Sequence, residues 1–246
     1  MPLRESEAIV LRSFPMGEAD RLVSFFSRSS GRLRGVARGA RRTKSQFGST
    51  LEMLAYVRIW FYERETRDLV RITQCELLES FHGAQREYGS TLALAFVSEL
   101  TETVVPEREA ADPVFRLILL TARAISSGKA IWAPLAYFAV WSVRLAGWLP
   151  SLDRCQNCGK EFRSRGAYEM AAGELVCGDC RVGGREVNLA ALAAGDRMLH
   201  EKLDKALEVS QSDGQLKELI RYLLDIIERH AEKRLVTWKL LVEGAQ

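Results

Sequence analysis

Apolar residues recur in two different rhythms along this chain of 246 residues, and the change between them falls near Phe81. Before that point short apolar runs alternate or cluster as β-strands do, separated by glycine-rich and polar breaks. Glu7 to Phe14, running through Ala8-Ile9-Val10-Leu11, is the first run and is broken at Gly17. Arg21 to Phe26 is the second, with Ser29-Ser30-Gly31 as its turn, and Arg32 to Arg38 the third. Leu51 to Tyr62 and Leu69 to Leu78 are the fourth and fifth. Five short strands in so small a segment predict a barrel. A five-stranded Greek-key barrel of the OB type suits a nucleic-acid binder of this size, and an SH3-like barrel is the alternative.

After Phe81 the period lengthens to about 3.6, the signature of helices that bury one face. Leu92, Phe96, Leu100 and Val104 mark the first; Val114, Leu117, Ile118, Thr121 and Ile125 the second; Ile131, Leu135, Phe138, Val140, Trp141 and Leu145 the third. Pro106, Pro113 and the run Gly147-Trp148-Leu149-Pro150 punctuate them. Leu199, Leu203 and Leu207 predict a fourth helix, Leu216, Ile220, Leu223 and Ile227 a fifth, and Leu235 to Val242 a short last one. The expected fold class is α+β: an N-terminal five-stranded OB-type barrel followed by an α-helical domain with an inserted four-cysteine zinc module. The expected boundaries are 1–80 for the barrel, 81–150 with 185–246 for the helical domain, and 151–184 for the zinc module.

The cysteines change this picture from a fold to a chemistry. Four of the five stand as Cys155-Gln156-Asn157-Cys158 and Cys177-Gly178-Asp179-Cys180, giving C-x2-C-x18-C-x2-C, the spacing of a four-cysteine zinc site. Two intervening residues let both sulfurs of a pair meet one ion, and Gly159 and Gly178 supply freedom for the turns. Four thiolates leave no open position for water, so the expected cofactor is one structural Zn2+. The segment between the pairs, from Lys160 to Leu175, is too polar to fold unaided, so metal binding should order it. Its Arg163 and Arg165 read as a solvated charge run, with contact to nucleic acid as the alternative. Cys75, in a predicted strand, is expected to be buried and inert.

Net charge is only +3, but its distribution is uneven. Between Arg28 and Lys44 lie seven basic residues and no acid, which leaves the rest of the chain net acidic. Such an island is what a phosphate backbone would feel. Period two puts Arg32, Arg34 and Arg38 on one face of the third strand, and the loop beyond adds Arg41, Arg42 and Lys44. On the fourth strand Leu51, Met53, Ala55, Val57, Ile59 and Phe61 point inward, which leaves Glu52, Leu54, Tyr56, Arg58, Trp60 and Tyr62 outward. That aromatic face suits stacked bases of a single strand, or equally a seam against the helical domain. The expected DNA-binding residues are therefore Arg32, Arg34, Arg38, Arg41, Arg42, Lys44, Arg58, Tyr56 and Trp60.

Phosphate-cradling, dinucleotide-binding, zinc-protease and nucleophile-elbow motifs are all missing, and His82, His200 and His230 are scattered without ligand spacing. No apolar run approaches the roughly 18 residues of a membrane helix. The first residues carry early acids and no apolar core, so a secretory signal is not expected and a cytoplasmic protein is. Non-enzymatic binding fits these features best. The alternatives are a zinc-containing RNA-binding or transcription-associated protein, or a DNA-processing enzyme such as a nuclease or glycosylase.

The ordered set Ala8-Ile9-Val10-Leu11, Gly17-Glu18-Ala19-Asp20-Arg21-Leu22-Val23, Gly31-Arg32-Leu33, Ala37-Arg38-Gly39-Ala40-Arg41-Arg42 and Lys44-Ser45 resembles the RecO family of bacterial recombinational-repair proteins. So does Arg144-Leu145-Ala146-Gly147-Trp148-Leu149-Pro150 leading into Cys155-x2-Cys158-Gly159. The resemblance implies an OB fold, a helical domain interrupted by a zinc module, and binding of single- and double-stranded DNA. It also implies annealing of complementary strands and action with RecR that helps RecA displace single-strand-binding protein. The partners so implied are DNA, RecR, single-strand-binding protein and, indirectly, RecA, with no membrane, in a cytoplasmic and nucleoid-associated setting.

Overall fold

The computed structural model describes residues 3–63, 68–128, 130–162, 166–171, 173–208 and 211–244. Arg163 and Arg165 lie outside them. The chain forms two compact units, residues 1–129 with 236–246, and residues 130–235.

The first unit is built on a closed barrel of β1 (Leu3–Met16), β2 (Asp20–Ser27), β3 (Gly31–Ala37), β4 (Tyr56–Tyr62) and β5 (Leu69–Glu79), in the order β1-β2-β3-β5-β4. All neighbours are antiparallel except β3 and β5, which is the pairing expected of an OB-type barrel. Alternation fills the interior with Ala8, Val10, Val23, Phe25, Leu33, Val57, Ile59, Phe61, Val70 and Ile72. Ile9, Leu11 and Phe26 point outward yet are fully buried, because helices cover that side. These are α1 (Tyr88–Val104), whose Ser98 Oγ donates to the Leu11 carbonyl at 2.7 Å, and α2 (Asp112–Ser126), whose Phe115 ring lies 6.2 Å from that of Phe26. Gly31 sits at φ +72°, and a Cβ there would fall 2.3 Å from the Glu109 carbonyl oxygen, so the β2–β3 turn requires glycine.

The fourth strand is shorter than its alternation predicts. It begins at Tyr56, and Leu51 and Met53 belong instead to a connection containing a 3-10 turn over Gly48–Leu51 and Leu54 at φ +58°. Leu54 is buried, and Phe47, Leu51 and Ala55 plug one end of the barrel, so the apolar spacing reflects a plug and not a strand. The third strand ends at Ala37, which puts Arg38 in the loop beyond it.

The second unit contains α3 (Trp132–Leu145), a small sheet of β6 (Ala167–Glu169), β7 (Leu175–Cys177) and β8 (Arg185–Val187), and then α4 (Leu189–His200), α5 (Leu203–Glu208) and α6 (Asp213–Ala231). α3 packs against α6, burying Leu135 and Phe138 on one and Leu216, Ile220, Leu223 and Ile227 on the other. Ser212 and Gln215 form a capping box that starts α6. The predicted helix through Leu199, Leu203 and Leu207 is two helices, because the chain is extended at Glu201, φ −117°. α4 itself is alanine-rich and shows little hydrophobic contrast, so its periodicity was not visible.

The last helix, α7 (Val236–Gly244), belongs to the first unit and packs on α1, with Trp238 6.2 Å from Phe96. Buried Glu99 of α1 caps it, accepting the N–H groups of Val236 at 3.1 Å and Thr237 at 2.9 Å together with the Thr237 hydroxyl. Burial, the largest single influence, raises the Glu99 pKa, but these hydrogen bonds and the Arg12 charge overcome it, so the carboxyl titrates below its ordinary 4.5. A folded pKa below the unfolded one stabilises the fold fully above the unfolded value, and that stabilisation is lost as pH falls through the folded value. Glu99→Gln is expected to destabilise the protein at neutral pH by about 1–3 kcal/mol and to flatten the acid limb of the stability profile. Thermal unfolding from neutral to acidic pH checks this, and a variant whose acid limb matches the wild type would remove Glu99 as the cap.

Candidate nucleic-acid interface and metal centre

Two short turns bring the four paired cysteines together. At the first, Gly159 N–H donates to the Cys155 carbonyl at 2.8 Å and Cys155 N–H to the Lys160 carbonyl at 2.9 Å. Gly159 takes φ +71°, the conformation glycine was expected to supply, whereas Gly178 is not among the positive-φ glycines. At the second, Cys177 ends β7 and accepts the Cys180 N–H at 3.0 Å. The four sulfurs lie within 4.8 Å of one another, and those of Cys158 and Cys177 are 3.8 Å apart. This cluster could hold a metal ion, and a full set of four thiolates is the donor set of a closed, structural site.

Without metal the cluster distributes charge unevenly. Burial, the largest influence on Cys155, raises its pKa, but the backbone N–H groups of Cys177, Cys158 and Asn157 outweigh it and bring it down to about 6. Hydrogen bonding with Cys158 leads the influences that push Cys180 up to about 12. Backbone N–H groups therefore favour a thiolate at Cys155, the form in which cysteine ligates a metal.

The module is tied to α6 by charges that carry no spacing signal in the sequence. Buried Glu169 accepts from Arg229 Nη2 at 2.7 Å and from Arg185 Nη2 at 2.5 Å, Arg185 also reaches Asp225 at 2.7 Å, and Arg229 Nη1 donates to the Ala171 carbonyl at 3.1 Å. Cys75 stands apart as a buried thiol of β5 whose pKa burial pushes up to about 12, which makes it inert. The histidines are also apart: His230 stacks on Trp148 at 4.7 Å, and exposed His82 and His200 face Glu52 and Asp196.

On the barrel, ion pairing sorts the basic island into two groups. Arg28 lies between Glu7 at 2.7 Å and Asp112 at 2.6 Å. Arg32 donates to the Val105 carbonyl at 3.0 Å and to Glu107 at 3.2 Å, and Glu107 also meets the more exposed Arg34 at 3.2 Å. By contrast Arg38, Arg42 and Lys44 are exposed without a carboxylate partner among the described residues, and Arg41 directs its guanidinium to the Gly17 carbonyl at 2.8 Å. The loop is pinned, since Arg41 N–H donates to the Ala19 carbonyl at 2.9 Å and Gly39 N–H to Asp20 Oδ1 at 2.8 Å.

The outer face of β4 is aromatic as expected, but it is engaged. Tyr56 meets Phe115 edge-on at 6.0 Å, Arg58 stands 3.5 Å from both Glu5 and Glu76, and Trp60 Nε1 donates to Glu5 at 3.1 Å. The sequence left open whether these rings met bases or a seam; Tyr56 is in a seam with α2, and Trp60 lies beside a carboxylate.

Fold and site together define a class: an OB-like barrel with a pinned basic loop, joined to helices that carry a four-thiol metal module. The chain belongs to the recombination protein O family. Its N-terminal family model matches residues 1–81 and its C-terminal model residues 85–239. Among similar proteins, the DNA repair protein RecO of Koribacter versatilis is 40% identical over 240 residues, covering 97% of this chain and 98% of the relative. That of Syntrophobacter fumaroxidans is 32% identical over 99% of both chains. That of Streptomyces griseus is 35% identical over 80% of this chain and 84% of the relative. A role in DNA repair and recombination follows from this membership. No helix among the described residues is long and apolar enough to cross a membrane.

Metal analysis of protein purified without chelators is expected to find about one tightly bound metal ion per chain, as befits a closed set of four thiolates. Cys158→Ser should lower that content and the unfolding temperature, whereas Cys75→Ser should leave metal content unchanged. Equal metal content in wild type and Cys158→Ser would refute the site.

Proposed function

We propose that the protein is a DNA repair and recombination mediator that works by binding and not by covalent catalysis. It holds single- and double-stranded DNA, anneals complementary strands, and with RecR helps load RecA onto DNA coated by single-strand-binding protein. One structural Zn2+ on Cys155, Cys158, Cys177 and Cys180 orders the second unit, and thiolates of this kind fit a reducing, cytoplasmic setting. The observation that carries the reading is the pinned loop of Arg38, Arg41, Arg42 and Lys44, whose exposed side chains have no ion pair with a carboxylate among the described residues. Family membership supports it: the relatives are named as DNA repair proteins.

Annealing is opposed by repulsion between two phosphate backbones, and a compact positive patch lowers that barrier by serving as a shared counterion. Arg32, Arg34 and Arg58 contribute less to such a patch, because each already has a carboxylate within 3.5 Å. Log K for DNA should fall with log salt, with a slope near −0.7 per phosphate contact on single strands. Replacing Arg38, Arg41 and Arg42 by alanine is expected to flatten that slope, and Arg42→Glu to slow annealing of coated complementary strands more than it weakens binding to one strand. Annealing should proceed without ATP. An unchanged slope in the triple variant, or annealing that is absent even at low salt, would overturn the reading.

A further inference from the structure

The first cysteine turn builds one wall of a groove that lies outside the thiol cluster. The chain on either side of Cys155 and Cys158 runs back on itself antiparallel, with Arg154 bridged to Glu161 and the Phe162 N–H donating to the Asp153 carbonyl at 3.0 Å. Leu152 and Phe162, at the two ends of this hairpin, are both buried. Together with Leu189, Leu192 and Ala193 of α4 they line an open groove of about 440 Å³. Such a volume takes a bulky side chain with part of its neighbour. Three carboxylates, those of Asp153, Glu161 and Asp196, and one cation, Arg197, complete the lining. The acids are in water, with side chains 46%, 41% and 37% exposed.

We propose that this groove docks a partner protein through a basic apolar segment, in which a leucine, methionine or aromatic anchor is flanked by lysine or arginine. The proposal is independent of the DNA-binding reading, and its failure would leave that reading standing. The charge of the lining selects the occupant: three acids against one base repel a phosphate backbone or an acidic tail and attract a cation. Arg154 stands 3.3 Å from Asp153 and 3.6 Å from Glu161, and His200 3.8 Å from Asp196, all at the surface. Exposed pairs of this kind are worth about 0–1 kcal/mol, so an incoming cation can take the carboxylates over. The floor supplies the other half of the recognition, because its five residues are all aliphatic or aromatic. An apolar side chain seated there leaves water while charges close around it, which is the dry centre and polar rim of a protein interface. One wall is the cysteine turn itself, so the groove depends on whatever orders that turn.

The test pans a random peptide library displayed on phage against the full chain, with Ala193→Arg as the blocked control. Ala193 is exposed on α4 and arginine is a good helix former, so the variant should fold, and thermal unfolding checks that it does. Peptides retained by the wild type and not by Ala193→Arg are expected to carry lysine or arginine around an apolar anchor. A labelled peptide from that set should lose at least about tenfold in affinity on Ala193→Arg and about two- to fivefold on Asp196→Asn. Should Ala193→Arg unfold, Asp196→Asn decides, and a peptide bound equally by it and by the wild type refutes the docking site. Retained peptides that are acidic, or that bind Ala193→Arg equally, overturn the proposal, as does a library in which none is enriched. Oligothymidylate that competes with the peptide would assign the groove to nucleic acid. Self-association of the wild type on sedimentation that Ala193→Arg abolishes would assign it to a second copy, and either result overturns the proposal.

Discussion

A parallel pair of strands cannot be closed by a tight turn, and the pairing of β3 with β5 is the constraint from which the barrel's working surface follows. The chain leaves β3 at Ala37 and must cross one end of the barrel before β4 and β5 can return beside it. Part of that crossing is consumed by closure: Phe47, Leu51 and Ala55 fill the open end and join the core. The part before them, from Arg38 to Gln46, leaves Ala40 partly buried against the core and keeps Arg38, Arg41, Arg42 and Lys44 exposed, where charge carries little desolvation penalty. Three hydrogen bonds hold it against the β1–β2 hairpin, from Arg41 N–H to the Ala19 carbonyl, from Gly39 N–H to Asp20 Oδ1 and from the Arg41 guanidinium to the Gly17 carbonyl. A loop so held loses less conformational freedom on meeting a ligand than a free tail would.

Charge pairing then decides where the field of the basic island emerges. Exposed pairs such as Arg34 with Glu107 are individually weak, about 0–1 kcal/mol, so they do not lock the arginines in place. They matter through what remains when a phosphate arrives: the displaced carboxylate stays nearby and offsets part of the attraction. Arg28 and Arg32 each have a second acceptor and are held more firmly. The outward potential is therefore concentrated on the loop, although the sequence spreads its cations evenly from Arg28 to Lys44.

What was legible followed from short-range pattern. Period-two runs identified five strands, the 3.6 period found most helices, and the cysteine spacing marked the cluster whose sulfurs converge. What was not legible depended on long-range contacts or on low contrast. Leu51 and Leu54 read as part of a strand because a plug and a strand both need apolar side chains at short intervals. The alanines of α4 hid its period. Glu107, which neutralises two arginines of β3, lies some 75 positions further along, and nothing local points to it. Phe14 looked like the end of an apolar run, and only the register with Leu22 and Val36 shows that it is the exposed member of an outward row whose other two residues are half-buried.

In the second unit the metal cluster and the helix packing are joined by one carboxylate. Cys177 ends β7, β7 pairs with β6, and β6 ends in Glu169, whose buried charge is satisfied only while Arg185 of β8 and Arg229 of α6 both reach it. A buried carboxylate that loses one such partner is strongly destabilising, because its desolvation is then uncompensated. The three-residue strands are too short to persist alone, so whatever orders the thiol cluster also orders the strand that presents Glu169. An ion held by the four thiols would therefore be coupled to the seating of α6, because the cluster connects to that helix through a chain of contacts only a few residues long.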